Sequence, residues 1–122
     1  MKTALVIEDN EDNMRLITFI LEKNGYSTIT AENGKMGIEL ALKERPDFIL
    51  LDIQLPDMNG QEVLKEIRKS EIDDEIPIIA VTSYAMSGDR ERLLEAGCNG
   101  YIEKPIDPVN IINQIRKVIG EG

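Results

Sequence analysis

The 122-residue sequence contains no histidine and a single cysteine, Cys98. Without histidine the commonest general base at neutral pH is missing, and so is any zinc site built on imidazoles. One cysteine forms neither a disulfide framework nor a thiolate metal site, and a cysteine after Ala96-Gly97 reads as a small buried hydrophobe. No apolar stretch approaches the about 20 residues of a membrane span, and the first residues lack a signal-peptide pattern. The expected location is therefore the reducing cytoplasm. Positive charge is also scarce: 14 Lys and Arg against 23 Asp and Glu leave a net charge of −9. Phosphate backbones bind basic surfaces, so nucleic acid is excluded as a direct partner. An acidic surface by itself serves solubility; a clustered part of it would bind a cation.

What is present is globular. With 42% hydrophobic and 30% charged residues, the chain suits one domain over residues 1–122. Short apolar runs recur at Ala4–Ile7, Tyr26–Ile29, Phe48–Leu51, Ile78–Val81 and Tyr101-Ile102. The first, third and fourth are continuous, as in strands buried on both faces of a parallel sheet. The second is more polar and alternates, as an edge strand does. Helical patterns lie between them. Asn10 or Asp12 caps one carrying Met14, Ile17 and Leu21, ended by Asn24-Gly25. Asn33 caps a second, with Ile38, Ala41 and Leu42, stopped by Pro46. Asn59-Gly60 opens a third with Val63, Leu64 and Ile67; a fourth runs from about Ser87 to Ala96 and ends at Gly97. A fifth follows Asp107, with Pro108 in its first turn, and carries Ile111, Ile115 and Val118. Strand and helix alternate five times, which predicts an α/β domain: a doubly wound parallel sheet with helices on both faces.

The polar residues fall at the strand ends. Strand one runs into Glu8-Asp9, strand three into Asp52, strand four into Thr82-Ser83 and strand five into Lys104-Pro105; strand two ends in the weaker set Thr30-Ala31-Glu32. In open parallel sheets the carboxyl-terminal edge is where ligands bind. Glu8, Asp9 and Asp52 converging there would repel one another, by roughly 4 kcal/mol for a pair at about 4 Å in an effective dielectric near 20. A hard dication such as Mg²⁺ relieves that repulsion with few protein donors. Lys104 adds an ammonium and Thr82 a hydroxyl. This set suits holding a phosphoryl group, where positioning and charge neutralisation do most of the chemistry. Asp52 is the candidate nucleophile, since carboxylates form aspartyl phosphates, and its carboxylate is expected to tip out of the core into a cleft. Each residue alone has an ordinary reading: helix capping for Glu8-Asp9, a turn for Asp52, a solvated lysine, a β-branched strand threonine. Their joint placement at one edge carries the functional reading.

Four segments, VIEDN at 6–10, ILLDIQLPDMNG at 49–60, AVTSYAM at 80–86 and YIEKPI at 101–106, together resemble the receiver domain of two-component response regulators. The resemblance covers essentially the whole chain. It implies a flavodoxin-like (βα)5 fold with strand order 2-1-3-4-5. It implies that Asp52 accepts phosphate from a phosphohistidine on a histidine kinase or a histidine phosphotransfer protein; a chain without histidine is acceptor rather than donor. It implies Mg²⁺ held by Asp9, Asp52 and the backbone carbonyl of Gln54, with Glu8 acting through water. Thr82 and Lys104 would contact the phosphoryl oxygens, and Tyr101 would turn inward on activation. The Lys104–Pro105 bond would be cis, aiming the lysine.

Phosphorylation would then reshape the face made by the fourth helix, the fifth strand and the fifth helix, a population shift that recruits a downstream protein. Gln54 and Tyr84 flank the cleft and would tune the lifetime of the phosphoryl bond. Gly60 would supply either a positive φ or a close approach, and Pro56 and Met58 would shape the loop. The stretch AMSGDRERLLEAGC at 85–98 bears some likeness to single-domain regulators of cell division and polarity. A receiver excised from a hybrid histidine kinase is the alternative; Met1 and an end just after the fifth helix favour a free protein. A phosphatase-like enzyme with an aspartyl nucleophile is less favoured, because the second acid such enzymes need two residues on is here Gln54. The expected state is a monomer or a weak phosphorylation-linked dimer.

Overall fold

The structure, a computed structural model, describes residues 2–70, 76–83 and 87–121, with the backbone alone described for Ser70 and residues 87–90. Five strands alternate with five helices: β1 (Thr3–Ile7), α1 (Glu11–Lys23), β2 (Ser27–Ala31), α2 (Gly34–Glu44), β3 (Phe48–Asp52), α3 (Gly60–Ser70), β4 (Ile78–Thr82), α4 (Ser87–Glu95), β5 (Gly100–Glu103) and α5 (Ile111–Ile119). The five strands pair in parallel in the order β2-β1-β3-β4-β5, the doubly wound arrangement expected.

The continuous apolar runs are buried as parallel-sheet strands must be: every residue of β3 and β4 is buried, whereas β2, at the edge, is mostly half-exposed. Alternate residues feed two cores. Ala4, Val6, Phe48, Leu50, Ile79 and Val81 meet α1 and α5 on one face. Leu5, Ile7, Ile49, Leu51, Ile78 and Ala80 meet α2, α3 and α4 on the other.

Local signals set the helix ends. Asn10, rather than Asp12, caps α1 by accepting from the Asn13 N–H at 2.9 Å, and Gly25 beyond its end takes φ +91°. Asn33 caps α2 through the Met36 N–H at 2.8 Å. Asn59 caps α3: its Oδ1 accepts from the Glu62 N–H at 2.9 Å, and its Nδ2 donates to the Glu62 side chain at Oε1, 2.8 Å away. The start of α5 departs from expectation. Asp107 Oδ1 accepts from the Val109 N–H at 3.0 Å and Oδ2 from Asn110 Nδ2 at 2.7 Å. That makes a separate turn over 108–110, so Pro108 opens the turn and the helix begins at Ile111.

One clamp was silent in the sequence. Arg68, near the end of α3, donates from Nε (3.2 Å) and Nη2 (3.0 Å) to the Gly97 carbonyl and from Nη2 to Asn99 Oδ1 (2.8 Å). Asn99 Oδ1 also accepts from the Ile78 N–H at 2.9 Å, and its own N–H donates to the Ile78 carbonyl at 2.7 Å. The connection from α4 into β5 is thereby tied to α3 and β4. Arg68→Ala should cost about 2 kcal/mol, because a charged donor is removed from a half-buried acceptor. A denaturant midpoint unchanged from wild type would contradict this clamp.

Candidate functional site

Glu8 follows β1, Asp52 ends β3, Thr82 ends β4 and Lys104 follows β5. Sheet-like hydrogen bonds continue past the strands and fix these residues. The Glu8 N–H donates to the Ala31 carbonyl (3.0 Å), the Ile53 N–H to Val81 (3.1 Å) and the Lys104 N–H to Thr82 (2.8 Å). The Lys104–Pro105 peptide is cis.

The carboxylates meet as a triad. Glu8, Asp9 and Asp52 each offer one oxygen, and these oxygens lie within 4.8 Å of one another. Lys104 Nζ sits 3.3 Å from Glu8 Oε1 and 3.4 Å from Asp52 Oδ2. These are ion-pair distances, and neither oxygen receives a hydrogen bond from a described residue, although both atoms are buried. The other two oxygens are held by backbone. Asp52 Oδ1 accepts from the Gln54 N–H at 2.9 Å and Glu8 Oε2 from the Asn10 N–H at 3.3 Å. Two buried acids with one unsatisfied oxygen each, beside a third that is exposed, form an all-oxygen donor set of the kind a small hard cation takes.

The open-cleft expectation for Asp52 is corrected here. Asp52 is only 2% exposed, as is Glu8. Among the described residues, hollows lie on either side of it: one of about 370 Å³ is lined by Glu8, Asp9, Glu11, Met14, Arg15 and Glu32. The other, of about 470 Å³, runs along the loop 53–59 and reaches Thr82, Arg92 and Leu93. Asp52 lines neither. The Lys104 ammonium and the Gln54 amide occupy its two oxygens, and a strand-end pattern carries no information about that cover.

Burial strains the electrostatics. Loss of hydration pushes the Glu8 carboxyl up from 4.5 to about 7; the neighbouring Asp52 carboxylate adds to this, and Lys104 opposes it. A group whose folded pKa is raised stabilises the fold when protonated. That contribution is intact below about 4.5 and is lost as the pH rises through about 7. In EDTA, wild-type stability relative to Glu8→Gln should therefore decline across that window, with the variant the more stable at pH 8. Parallel melting curves for the two proteins from pH 5 to 8 would show that the strain is absent.

The remaining expected residues lie around this centre. Thr82 is buried, and the register pairs Ala80 with Tyr101 and Thr82 with Glu103. Thr82 and Tyr101 thus face the same side of the sheet, where Tyr101 packs half-buried against the cluster containing Leu93 and Cys98. The Gln54 side chain reaches across to strand four's end: its Oε1 accepts from the Ser83 hydroxyl at 2.8 Å. Tyr84 lies outside the described residues. Ser83 was not singled out from sequence, nor was Asp57, whose carboxylate accepts from the Gly34 N–H (2.8 Å) and the Lys35 N–H (3.0 Å). Those two amides hold the Asp57 carboxyl below its ordinary range.

Residues 4–116 match the response regulator receiver domain family. The chain belongs to that family. As a receiver domain of two-component response regulators it is similar to the polar-differentiation response regulator DivK of Brucella anthropi, 44% identical over 121 residues that cover 99% of this chain and 98% of the relative. DivK of Brucella ovis is 43% identical over the same share of both chains. Among solved structures, the receiver domain of the sensor histidine kinase PA1611 from Pseudomonas aeruginosa aligns with a TM-score of 0.88 at 35% identity, covering 98% of both chains. That receiver domain has a magnesium ion coordinated in its active site cleft. A CheY-like receiver domain from Methanospirillum hungatei aligns with a TM-score of 0.90 at 30% identity, covering 99% of this chain and 95% of the other.

Proposed function

We propose that Asp52 is the phosphoacceptor of this receiver domain, taking a phosphoryl group from a phosphohistidine on a histidine kinase or phosphotransfer protein. The P–N bond to the imidazole breaks, a P–O bond to the Asp52 carboxylate forms, and the imidazole leaves with the bonding pair and takes up a proton. The observation that carries this reading is the pair of buried oxygens, Asp52 Oδ2 and Glu8 Oε1, that receive no hydrogen bond from the described residues and lie beside the Lys104 ammonium. Asp9, Asp52 and the Gln54 carbonyl would hold Mg²⁺, with Glu8 acting through water. Bound there, the ion neutralises charge on the carboxylates and on the incoming phosphoryl oxygens.

The chain's own groups do the rest. β3 holds Asp52 rigidly, and the Gln54 N–H fixes its Oδ1. Lys104, with 17% of its side chain exposed, is the cover that shifts from Asp52 Oδ2 to a phosphoryl oxygen. The Thr82 hydroxyl supplies a second donor. As Thr82 moves toward the phosphoryl group, Tyr101 on the same side of the sheet turns into the space it leaves. The α4-β5-α5 face then changes shape for a downstream protein. External phosphate esters are not turned over, since the position two beyond Asp52 carries an amide engaged with Ser83. Incubation with acetyl phosphate and Mg²⁺, read by intact mass, should give one phosphoryl adduct that EDTA prevents. Multiple turnover of a phosphate ester, or no adduct, would defeat the proposal.

A further inference from the structure

We propose that Asp57 is a positioning residue for the phosphoacceptor loop: its carboxylate fastens the segment that follows Asp52 to the first turn of α2, and thereby holds Gln54 against the acceptor. The helix has its own cap in Asn33, which serves the Met36 N–H. That leaves the N–H groups of Gly34 and Lys35, and Asp57 accepts from both, one on each oxygen, from 23 and 22 positions along the chain. A carboxylate on the amides of a helix start is a charge-assisted arrangement favoured by the helix dipole.

The next residue tightens the same joint. A Cβ on Gly34 would stand 2.4 Å from Met58 Cγ, so Met58 packs flush against the helix turn only because residue 34 is glycine. The loop is thus fixed to α2 at two successive positions. Within the loop, Gln54 and Asn59 form an antiparallel bridge and the Gly60 N–H donates to the Ile53 carbonyl at 2.9 Å. The segment is therefore one folded unit, and pinning its outer edge pins its inner one. That inner edge is Gln54, whose N–H sits on Asp52 Oδ1 at 2.9 Å. The path from α2 to the acceptor runs through Asp57, the 54–59 bridge and the Gln54 amide. Asp57 touches neither substrate nor ion.

The consequence for Mg²⁺ rests on the reading that the Gln54 carbonyl is a ligand; the consequence for the Gln54 amide does not. Three variants separate positioning from overall stability: Asp57→Ala removes both acceptors, Asp57→Asn keeps one, and Arg68→Ala opens the clamp at the far end of α3 without touching the loop. Amide hydrogen exchange in the metal-free protein and calorimetric titration with Mg²⁺ are the readouts. Asp57→Ala should speed exchange at Gln54 roughly tenfold, the scale set by loss of a charge-assisted bond, and weaken Mg²⁺ binding several-fold. Asp57→Asn should fall between, and Arg68→Ala should match wild type in both while melting earlier. Equal exchange at Gln54 in Asp57→Ala and wild type, or an equal effect from Arg68→Ala, overturns the proposal. If the wild type itself bound no Mg²⁺, the metal reading would fail while the exchange comparison still decided the role of Asp57.

Discussion

Asp52→Asn is expected to abolish the phosphoryl adduct entirely while leaving the fold intact. An amide is not a nucleophile toward phosphorus in the way a carboxylate is, so the chemistry has no partial substitute at that position. The fold should survive because asparagine has nearly the same shape and still offers Oδ1 to the Gln54 N–H, now at 2.9 Å from Asp52. Stability should even rise in EDTA, since the substitution removes one of two carboxylates buried at 2% exposure and leaves Lys104 the partner of Glu8. Intact mass after treatment with acetyl phosphate reads the first expectation and a thermal melt the second. Persistence of the adduct in Asp52→Asn would move the acceptor to Glu8 or Asp9 and undo the assignment.

Gly60→Ala is the second large effect, and its sign is diagnostic. Gly60 opens α3, where alanine is intrinsically the better residue by about 1 kcal/mol. Propensity alone therefore predicts a gain. The geometry predicts the reverse: a Cβ would lie 2.6 Å from the Ile53 Cα and 3.2 Å from the Asp52 carbonyl oxygen, besides 2.5 Å from Ile53 Cδ1. Two of those three neighbours are backbone, so no rotamer change relieves the clash. A loss of about 3 kcal/mol is expected, which in a domain of this size lowers Tm by roughly 10 °C. The displaced residues are the acceptor and its neighbour, so phosphorylation should slow as well. A variant as stable as wild type would show that the loop gives way easily, and the rigidity claimed for Asp52 would go with it.

The same glycine shows where reading a sequence stops. Its presence after Pro56, Met58 and Asn59 announced a tight spot but left two causes open, positive φ or close approach. Gly60 is absent from the glycines with positive φ, and the crowding at Ile53 supplies the cause. The strands β1, β3 and β4 were legible because burial on both faces demands unbroken apolar runs. The cap at Asn33 and the opening of α3 at Asn59-Gly60 were legible because a cap acts within three residues, whereas for α1 the sequence left Asn10 and Asp12 both open. The convergence of Glu8, Asp52 and Lys104 was legible because parallel strands deliver their ends to one edge. What escaped is what acts between distant loops: Asp57 on Gly34, Ser83 on Gln54, Arg68 on Gly97. In each case the residue type is common in turns or on surfaces, and only the folded path reveals its partner. The burial of Asp52 escaped for a related reason. Its cover comes from Lys104, a side chain whose reach the strand pattern does not encode.

Strand order has a consequence during synthesis. β1 and β3 are neighbours in the sheet, so their acids can be brought together once residue 52 has left the ribosome. The ammonium that offsets them belongs to residue 104 and is made only after all five strands. A nascent chain short of that point must either keep this end of the half-built sheet wet or recruit a cation from outside. Closure of the acidic end thus waits for the last strand of the sheet, whose arrival completes the pocket.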